Sequence, residues 1–244
     1  MAKANLWVVP DWPAPNNVHA ATTLRVGGVS LPPYESLNLA QHVGDDPQAV
    51  ANNRQLIKAV LGLPAEPVWL DQQHSNQVIQ VDQASLGLIA DASYTSSQQV
   101  VCAVLTADCL PILICDQEGT TVASIHAGWR GLLAGIIENT MARLPNRVWL
   151  AWLGPAIGPA CFEVGDEVRA AFLQKSAIFA AGFTPKCDGK WLADIYHLAR
   201  IQLTALKVEQ IFGGEFCTFT EQELFFSYRR DKQTGRMATL IWRD

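Results

Sequence analysis

The chain alternates short apolar runs with polar segments, and several of the runs have the length of a β-strand. Four of them consist mainly of apolar residues, namely 100–105, 111–115, 121–125 and 148–153. Continuous apolar runs of this length are typical of strands that are buried on both faces. Further strands are predicted at 68–70 and 78–81, and a strand pair at 224–228 and 237–242, joined through 232–235.

Four other segments have helical patterns. The clearest one covers 47–61, where Asp46 is a suitable N-cap, Pro47 fits the first helical position and Gly62 is a natural stop. The other helices are predicted at 132–144, 165–174 and 194–206, the last with Asp194 as its cap. Together the elements predict an α/β fold, namely a single-domain layered sandwich of mixed β-sheets flanked by helices.

Three residues that commonly bind metals lie where the predicted strands end. His74 falls on the turn between 68–70 and 78–81, Cys109 precedes 111–115, and His126 follows 121–125. Two imidazoles and one thiolate are a borderline-soft ligand set that suits zinc and also accepts copper. Three protein ligands leave a fourth position open for water or substrate, as in catalytic zinc sites. Because the ligands are far apart in sequence, their spacing alone does not establish the site.

Size and composition indicate a compact protein. The chain has 244 residues, of which 49% are hydrophobic and 17% charged, and it lacks linker-like or repetitive stretches. We therefore expect one domain over residues 1–244. A net charge of -5 argues against nucleic acid as the main partner. The first residues do not resemble a secretory signal and no apolar window is long enough to span a bilayer, so we expect a cytoplasmic protein without a membrane partner.

The six cysteines are expected to be free thiols in a reducing compartment. Cys102 and Cys115 lie in apolar strand-like runs and are predicted to be small core residues. Cys161, Cys187 and Cys217 have no ligand-like partner nearby in sequence. Of the six, Cys109 has the most polar setting, beside Asp108.

Several motifs of the chain match a known protein family. They are RVGGVS at 25–30, SLNL at 36–39, DQQHSNQV at 71–78, TADCLP at 106–111, HAGWRG at 126–131, LGPAIGP at 153–159, FEVG at 162–165 and FSYRRD at 226–231. On these motifs the chain resembles the YfiH-like laccase-domain family. Its members are known as polyphenol oxidases, purine nucleoside phosphorylases and, in one bacterial branch, a peptidoglycan editing factor. The matches extend nearly from end to end.

The resemblance implies a layered fold and a zinc site formed by His74, Cys109 and His126. It also implies phosphorolysis of adenosine, inosine and 5'-methylthioadenosine to the base and ribose 1-phosphate, with adenosine deamination as a second activity. The partners would then be purine nucleosides and phosphate. The residue types suit both reactions, because zinc activates water near neutral pH and an arginine beside a metal positions phosphate.

Other residues of the matching motifs have two interpretations. Arg25, Asn38 and Arg130 either contact the substrate or phosphate, or are ordinary turn and surface residues. His42 either lines the pocket or lies in an outer loop. The sequence leaves both interpretations open for each of them.

Asp108 is a further candidate for a substrate contact. It either orients a zinc-binding histidine from behind, as zinc ligands often require, or it caps the turn before Cys109. Asp108 and Glu163 are also the carboxylates that we consider as the acid for the leaving base.

Three alternative functions use the same residues. Cys109 activated by a neighbouring histidine would make a cysteine hydrolase or amidase that edits cell-wall precursors. Copper in the site would make a polyphenol oxidase, although five histidines are few for several copper centres. Lastly, the metal would only stabilise the fold of a binding module.

Overall fold

The computed structural model describes residues 6–82 and 87–244. Within these ranges the strands are β1 (Trp7–Val8), β2 (Val18–Thr23), β3 (Leu70–Asp71), β4 (Val78–Gln80), β5 (Leu88–Ile89), β6 (Ala92–Thr95), β7 (Cys102–Thr106), β8 (Leu110–Asp116), β9 (Val122–Ala127), β10 (Trp149–Leu153), β11 (Glu163–Gly165), β12 (Phe183–Pro185), β13 (Lys190–Ala193), β14 (Gln210–Gly213) and β15 (Met237–Arg243). The helices are α1 (Pro47–Leu61), α2 (Trp129–Ala134), α3 (Ile136–Arg143), α4 (Asp166–Lys175), α5 (Ile195–Ala205) and α6 (Tyr228–Asp231), with a 3-10 helix at Ala177–Gly182. None of these helices combines the length and the hydropathy needed to cross a membrane.

Two large sheets form the centre of the molecule. One has the order β1-β2-β15-β7 and is antiparallel throughout. The other has the order β14-β10-β8-β9-β6-β4, with parallel pairs at its two ends and antiparallel pairs between them. Smaller sheets, β11-β13-β12 and β3-β5, complete the strands. The predicted layered α/β sandwich is therefore confirmed, and of its two large sheets the six-stranded one is mixed.

The central strands are apolar on both faces because each face packs against another layer. In β7, Cys102 and Val104 face the six-stranded sheet, whereas Ala103 and Leu105 pack towards α1. Every residue of β7, β8, β9 and β10 is buried. This double burial explains why the strands read as continuous apolar runs in the sequence.

Helices cover the two outer faces of the paired sheets. Helix α1 packs through Ile57 on the four-stranded sheet, and α2 to α5 cover the six-stranded sheet. As predicted, Asp46 caps α1 by accepting from the Gln48 N–H, and Gly62 ends it in the left-handed region at φ 62°. The layers follow the order α1, four-stranded sheet, six-stranded sheet, α2 to α5.

Two sequence-based elements were wrong. The helix expected at 132–144 is divided into α2 and α3, because Gly135 adopts φ 91° and ends the first of them. The strand expected at 224–228 does not form in the structure. Its Phe225 and Phe226 are fully buried in a loop that leads into α6, where Ser227 accepts from the Arg230 N–H as N-cap. Strand β15 instead pairs with β2 and β7, which are distant in sequence.

Candidate metal centre

His74, Cys109 and His126 come together at the polar end of the central strands. His74 lies on the loop between β3 and β4, Cys109 immediately precedes β8, and His126 lies near the end of β9. Their ligand atoms all lie within 4.8 Å of one another. The Cys109 sulfur is 3.7 Å from His74 Nε2, and the two imidazole rings are 4.8 Å apart, centroid to centroid.

Gly128 allows the ligands to approach each other. A Cβ atom at this position would lie 2.9 Å from His74 Cδ2 and 3.0 Å from the Cys109 sulfur. These separations are shorter than ordinary van der Waals contacts, so any side chain here would push the two ligands away. The glycine of the HAGWRG motif therefore leaves the space that the cluster needs.

Asp91 accepts hydrogen bonds from both histidines, and the sequence analysis did not identify it as a site residue. Its Oδ1 accepts from His126 Nδ1 at 2.7 Å and from the His74 backbone N–H at 3.0 Å. Its Oδ2 accepts from the backbone N–H and the hydroxyl of Ser75, both at 2.6 Å. The His74 backbone is thereby fixed in the left-handed region at φ 57°. The signal in the sequence was a single acid inside an otherwise apolar stretch around 88–92.

The charges of the cluster favour an anionic sulfur between two imidazoles. Burial by itself raises the pKa of Cys109, but His126 and His74 outweigh it and lower the pKa to about 6. The same pair acts on His126, whose pKa rises to about 9 because Cys109 and Asp91 outweigh the effect of burial. Asp91 stays ionised, since its hydrogen bonds to His126 and Ser75 lower its pKa to about 2 against the effect of burial. A deprotonated thiol is the form that binds a metal.

The three residues fit a zinc ion. With zinc bonds of about 2.3 Å to sulfur and about 2.0 Å to nitrogen, a tetrahedral site places these two ligand atoms about 3.5 Å apart. The 3.7 Å between Cys109 and His74 is close to this value. The hydrogen bond that His126 Nδ1 donates to Asp91 leaves Nε2 as the ligand atom, the arrangement that metal-bound histidines usually show.

A cavity of about 440 Å³ opens beside the cluster. Its wall combines three arginines, a further histidine and several aromatic or apolar side chains, and the lining includes Arg130, Arg229, Arg236, His42, Trp129, Phe162, Tyr228, Ile157 and Ile195. Arg130 stacks on Trp129, and Arg229 lies over Phe162. Thr106 also lines the cavity, and its buried hydroxyl has no hydrogen-bond partner within residues 6–82 and 87–244.

Of the other candidate residues, Arg130 and Asp108 reach this cavity. Asp108, however, does not orient a histidine, because its two oxygens accept from the Thr218 hydroxyl and the Arg229 N–H, both at 2.6 Å. Orienting a histidine, the first of the two roles considered for Asp108, belongs to Asp91. Asp108 instead fixes the loop before Cys109, where its own backbone has φ 89°.

Arg25 and Asn38 do not line the cavity beside His74, Cys109 and His126. Arg25 lines a separate surface groove, where it donates to the carbonyls of Glu35 and Gln222 and lies over Phe226. Asn38 is fully buried. The structure gives both residues partners within the protein.

Glu163, considered as an acid for the leaving base, lies outside the cavity lining as well. Its carboxylate pairs with Lys186 and Lys190, each at 2.6 Å. These hydrogen bonds lower the pKa of Glu163 to about 2, so it carries no proton near neutral pH. The carboxylates of Glu163 and Asp108 both bind other groups of the protein, so the structure does not identify either as the acid for the leaving base.

Arg229, Arg236 and Tyr228 were not predicted as site residues. Arg229 and Tyr228 belong to α6, in the segment that had been predicted to form a hairpin, and Arg236 immediately precedes β15. His42 does line the cavity, which decides between its two interpretations. Burial and the neighbouring Arg236 lower its pKa, so that the imidazole is mainly neutral near pH 7.

The chain matches known proteins along nearly its whole length. The family model described as multi-copper polyphenol oxidoreductase laccase matches residues 19–244. A relative from Escherichia coli named purine nucleoside phosphorylase YfiH is 55% identical over 96% of this chain and 98% of its own length. Another purine nucleoside phosphorylase, from Pseudomonas aeruginosa, is 51% identical over 98% of each chain. The crystal structure of a Neisseria meningitidis protein of the DUF152 family superposes with a TM-score of 0.94 at 48% identity, covering 98% of this chain and 100% of that one.

The match extends beyond single motifs, since a second solved structure, YlmD from Geobacillus stearothermophilus, covers all of this chain with a TM-score of 0.89 at 30% identity. In the described residues, the cluster of His74, Cys109 and His126 is the one group that has the ligands for a metal ion. One such group does not provide the several copper centres in the family's description. On the match to the family model and to relatives named YfiH, the chain belongs to the YfiH-like multi-copper polyphenol oxidoreductase laccase family.

Proposed function

We propose that residues 1–244 form one zinc-dependent purine nucleoside phosphorylase, acting on adenosine, inosine and 5'-methylthioadenosine. One observation carries the proposal: the His74, Cys109 and His126 cluster lies in the wall of a cavity that also holds three arginines and several aromatic rings. The names of the relatives that cover nearly the whole chain point to the same reaction.

The arginines supply the positive charge that a phosphate substrate requires. Arg130, Arg229 and Arg236 all line the cavity, and His42 lines it as well. Guanidinium groups donate paired N–H groups that match phosphate oxygens. In our proposal they hold phosphate on one side of the ribose, so that one of its oxygens bonds to the anomeric carbon while the bond to the base nitrogen breaks.

The aromatic wall suits the purine base. Trp129, Phe162 and Tyr228 offer faces on which a flat heterocycle stacks, and Ile157 and Ile195 exclude water around it. Thr106 has a hydroxyl without a partner within the described residues, which suits a hydrogen bond to the substrate. In our proposal His42, mainly neutral in the free protein, donates a hydrogen bond to the departing base.

A bound zinc ion would supply a Lewis acid beside the arginines, and the same ion would suit adenosine deamination as a second activity. His74, Cys109 and His126 would hold it, with Asp91 keeping His126 in the required orientation. The protein groups meanwhile position phosphate and exclude water from the ribose. Copper is the alternative metal for the same three ligands.

The test is product analysis by mass spectrometry after incubation of metal-quantified protein with adenosine, with and without phosphate. We expect phosphate-dependent release of adenine and ribose 1-phosphate, and inosine in either condition if deamination is the second activity. Cys109→Ala is expected to lose metal and turnover together. Protein that is folded, carries one zinc per chain and forms none of these products would refute the proposal.

A thiol-reactive probe separates this proposal from a cysteine hydrolase. With zinc bound, Cys109 should resist alkylation until a chelator is added, because the metal occupies the sulfur. A nucleophilic Cys109 without metal would be alkylated at once, and turnover of a peptide-bearing cell-wall precursor would then survive chelation. Circular dichroism after chelation tests the binding-module alternative, which requires the apoprotein to unfold.

A further inference from the structure

Cys161 and Cys217 form a pair of thiols next to the cavity but outside the metal cluster. Both are half-buried free cysteines, and both contact the turn at Gly158. The Cys161 N–H donates to the Gly158 carbonyl at 3.0 Å, and the Gly158 N–H donates to the Cys217 sulfur at 3.2 Å. A Cβ atom at Gly158 would lie 3.0 Å from the Cys217 sulfur, so this turn and the sulfur are in close contact.

The two sulfurs differ in their surroundings. The Cys217 sulfur accepts from the Gly158 N–H at 3.2 Å. Although burial raises the pKa of Cys217, the polar groups of Thr220, Gly158 and Phe219 outweigh burial and lower it. Burial raises the pKa of Cys161, and the adjacent Cys217 sulfur raises it further. Cys217 is therefore the more nucleophilic of two neighbouring thiols.

We propose that Cys161 and Cys217 are an oxidation site, at which a disulfide oxidant such as glutathione disulfide joins them in an intramolecular disulfide. The Cys217 thiolate attacks one sulfur of glutathione disulfide, so that the bond between the glutathione sulfurs breaks and one glutathione thiolate leaves. Cys161 then loses its proton to that thiolate or to solvent and attacks the Cys217 sulfur. The second glutathione leaves, so two protein thiols are oxidised and one glutathione disulfide is reduced to two thiols.

The remaining cysteines do not offer such a pair within the described residues. Cys102 and Cys115 are fully buried, and burial raises the pKa of each to about 12. Cys187 is exposed and lies on the turn between β12 and β13. Cys109 belongs to the metal cluster, and bound zinc would occupy its sulfur.

The disulfide would change the cavity through the neighbours of the two cysteines. Phe162, the residue after Cys161, lines the cavity. Thr218, the residue after Cys217, donates to Asp108 at 2.6 Å and so helps to fix the loop before Cys109. This consequence for turnover rests on the proposed function, whereas formation of the disulfide does not.

The experiment uses zinc-loaded Cys187→Ser protein, which removes the exposed thiol, and treats it with excess glutathione disulfide before peptide mapping by mass spectrometry. We expect a peptide that links Cys161 to Cys217, and the loss of two hydrogen masses from the intact chain. In a Cys161→Ser background, glutathione should remain attached to Cys217. In a Cys217→Ser background, Cys161 should react at least tenfold more slowly.

Two outcomes would overturn the proposal: glutathione attached to Cys109 alone, or a Cys161→Ser protein that traps no adduct at Cys217. If Cys217→Ser does not fold, alkylation of the zinc-loaded Cys187→Ser protein decides instead, with Cys217 expected to be modified before Cys161. Adenosine turnover is measured separately before and after oxidation and after reduction with dithiothreitol. A mapped disulfide in a protein without nucleoside turnover would leave the oxidation site in place and refute only the proposed function.

Discussion

Asp91 and His126 are joined by a hydrogen bond of 2.7 Å between Oδ1 and Nδ1, and both side chains are shielded from solvent. This bond fixes the His126 ring and leaves its Nε2 available to bind a metal ion. The same oxygen accepts from the His74 backbone, so one carboxylate sets the positions of two of the three ligands. Asp91 lies between β5 and β6, whereas His126 lies on β9, the neighbour of β6 in the sheet.

Replacing this carboxylate should weaken metal binding more than folding. Asp91→Asn keeps the shape of the side chain but loses its charge, and we expect zinc affinity to fall about 10- to 100-fold. Chelator competition measures the affinity. Asp116→Asn is the matched control, because Asp116 is another buried carboxylate, at the far end of β8, where it binds Arg147 and Thr120. Equal zinc affinity in Asp91→Asn and the unmodified protein would contradict this prediction.

Adding one methyl group at Gly128 should separate the ligands. The Cβ of Gly128→Ala would lie 2.9 Å from His74 and 3.0 Å from Cys109, closer than the 3.4–4 Å of an ordinary van der Waals contact, so we expect loss of stoichiometric zinc, measured by elemental analysis. Gly62→Ala is the control: its Cβ meets no atom within 4 Å, but its φ of 62° makes alanine cost about 1 kcal/mol of stability. The control should therefore melt earlier and keep its zinc. A Gly128→Ala protein with a full equivalent of zinc would show that the ligands do not need this space.

The Cys109 thiol should ionise at unusually low pH in metal-free protein. Although burial opposes ionisation, the flanking imidazoles lower its pKa to about 6 from the ordinary 9.0. The thiolate is then present above about pH 6 and lost as the pH falls through that value, so zinc retention should fall in the same direction. The ultraviolet absorbance of the thiolate follows the titration, with Cys109→Ser protein as the reference. An inflection near 9 would mean that the imidazoles do not stabilise the anion.

The cavity arginines should control phosphate binding. Arg130→Ala removes an exposed guanidinium at the cavity wall, and Arg236→Ala removes one near the cluster. We expect each to raise the KM for phosphate about 10- to 100-fold, the effect of one lost charged hydrogen bond of roughly 1.5–3 kcal/mol. Arg143→Ala removes an exposed arginine in the last turn of α3 and should leave this KM unchanged. Equal KM values in all three variants would place phosphate elsewhere.

Asn38 should matter for stability. Its Oδ1 accepts from the Ala40 and Arg236 N–H groups, each at 3.0 Å, and its Nδ2 donates to Asp45 at 2.9 Å. Asn38→Ala removes the acceptor of the Ala40 and Arg236 N–H groups and one donor to Asp45, so we expect the free energy of unfolding to fall by about 1–3 kcal/mol, measured by urea denaturation. Asn52→Ala, on the exposed side of α1, is the control and should change it little. Unchanged stability together with a higher KM for a nucleoside would restore Asn38 as a substrate contact.

The sequence by itself determined the layers of this protein and the residue types of its candidate metal centre. Strands such as β8 and β10 are apolar throughout because both of their faces are buried, and that pattern is local. Likewise, α1 begins and ends at residues with strong local preferences, Asp46 and Gly62. The cluster was predicted through the resemblance of its three motifs to a family, since their spacing alone has no fixed geometry.

Tertiary structure alone decided which distant residues surround that cluster. Asp91 reaches His126 because β6 and β9 are neighbours in the sheet, a pairing that local sequence does not encode. The segment 224–228 has a strand-like composition, yet Phe225 and Phe226 are buried as a loop because β2 and β7 already occupy both edges of β15. Long-range pairing therefore turned an expected hairpin into the segment that carries Tyr228 and Arg229 to the cavity. The chemistry of the ligands was local, but the wall around them depended on which strands became neighbours.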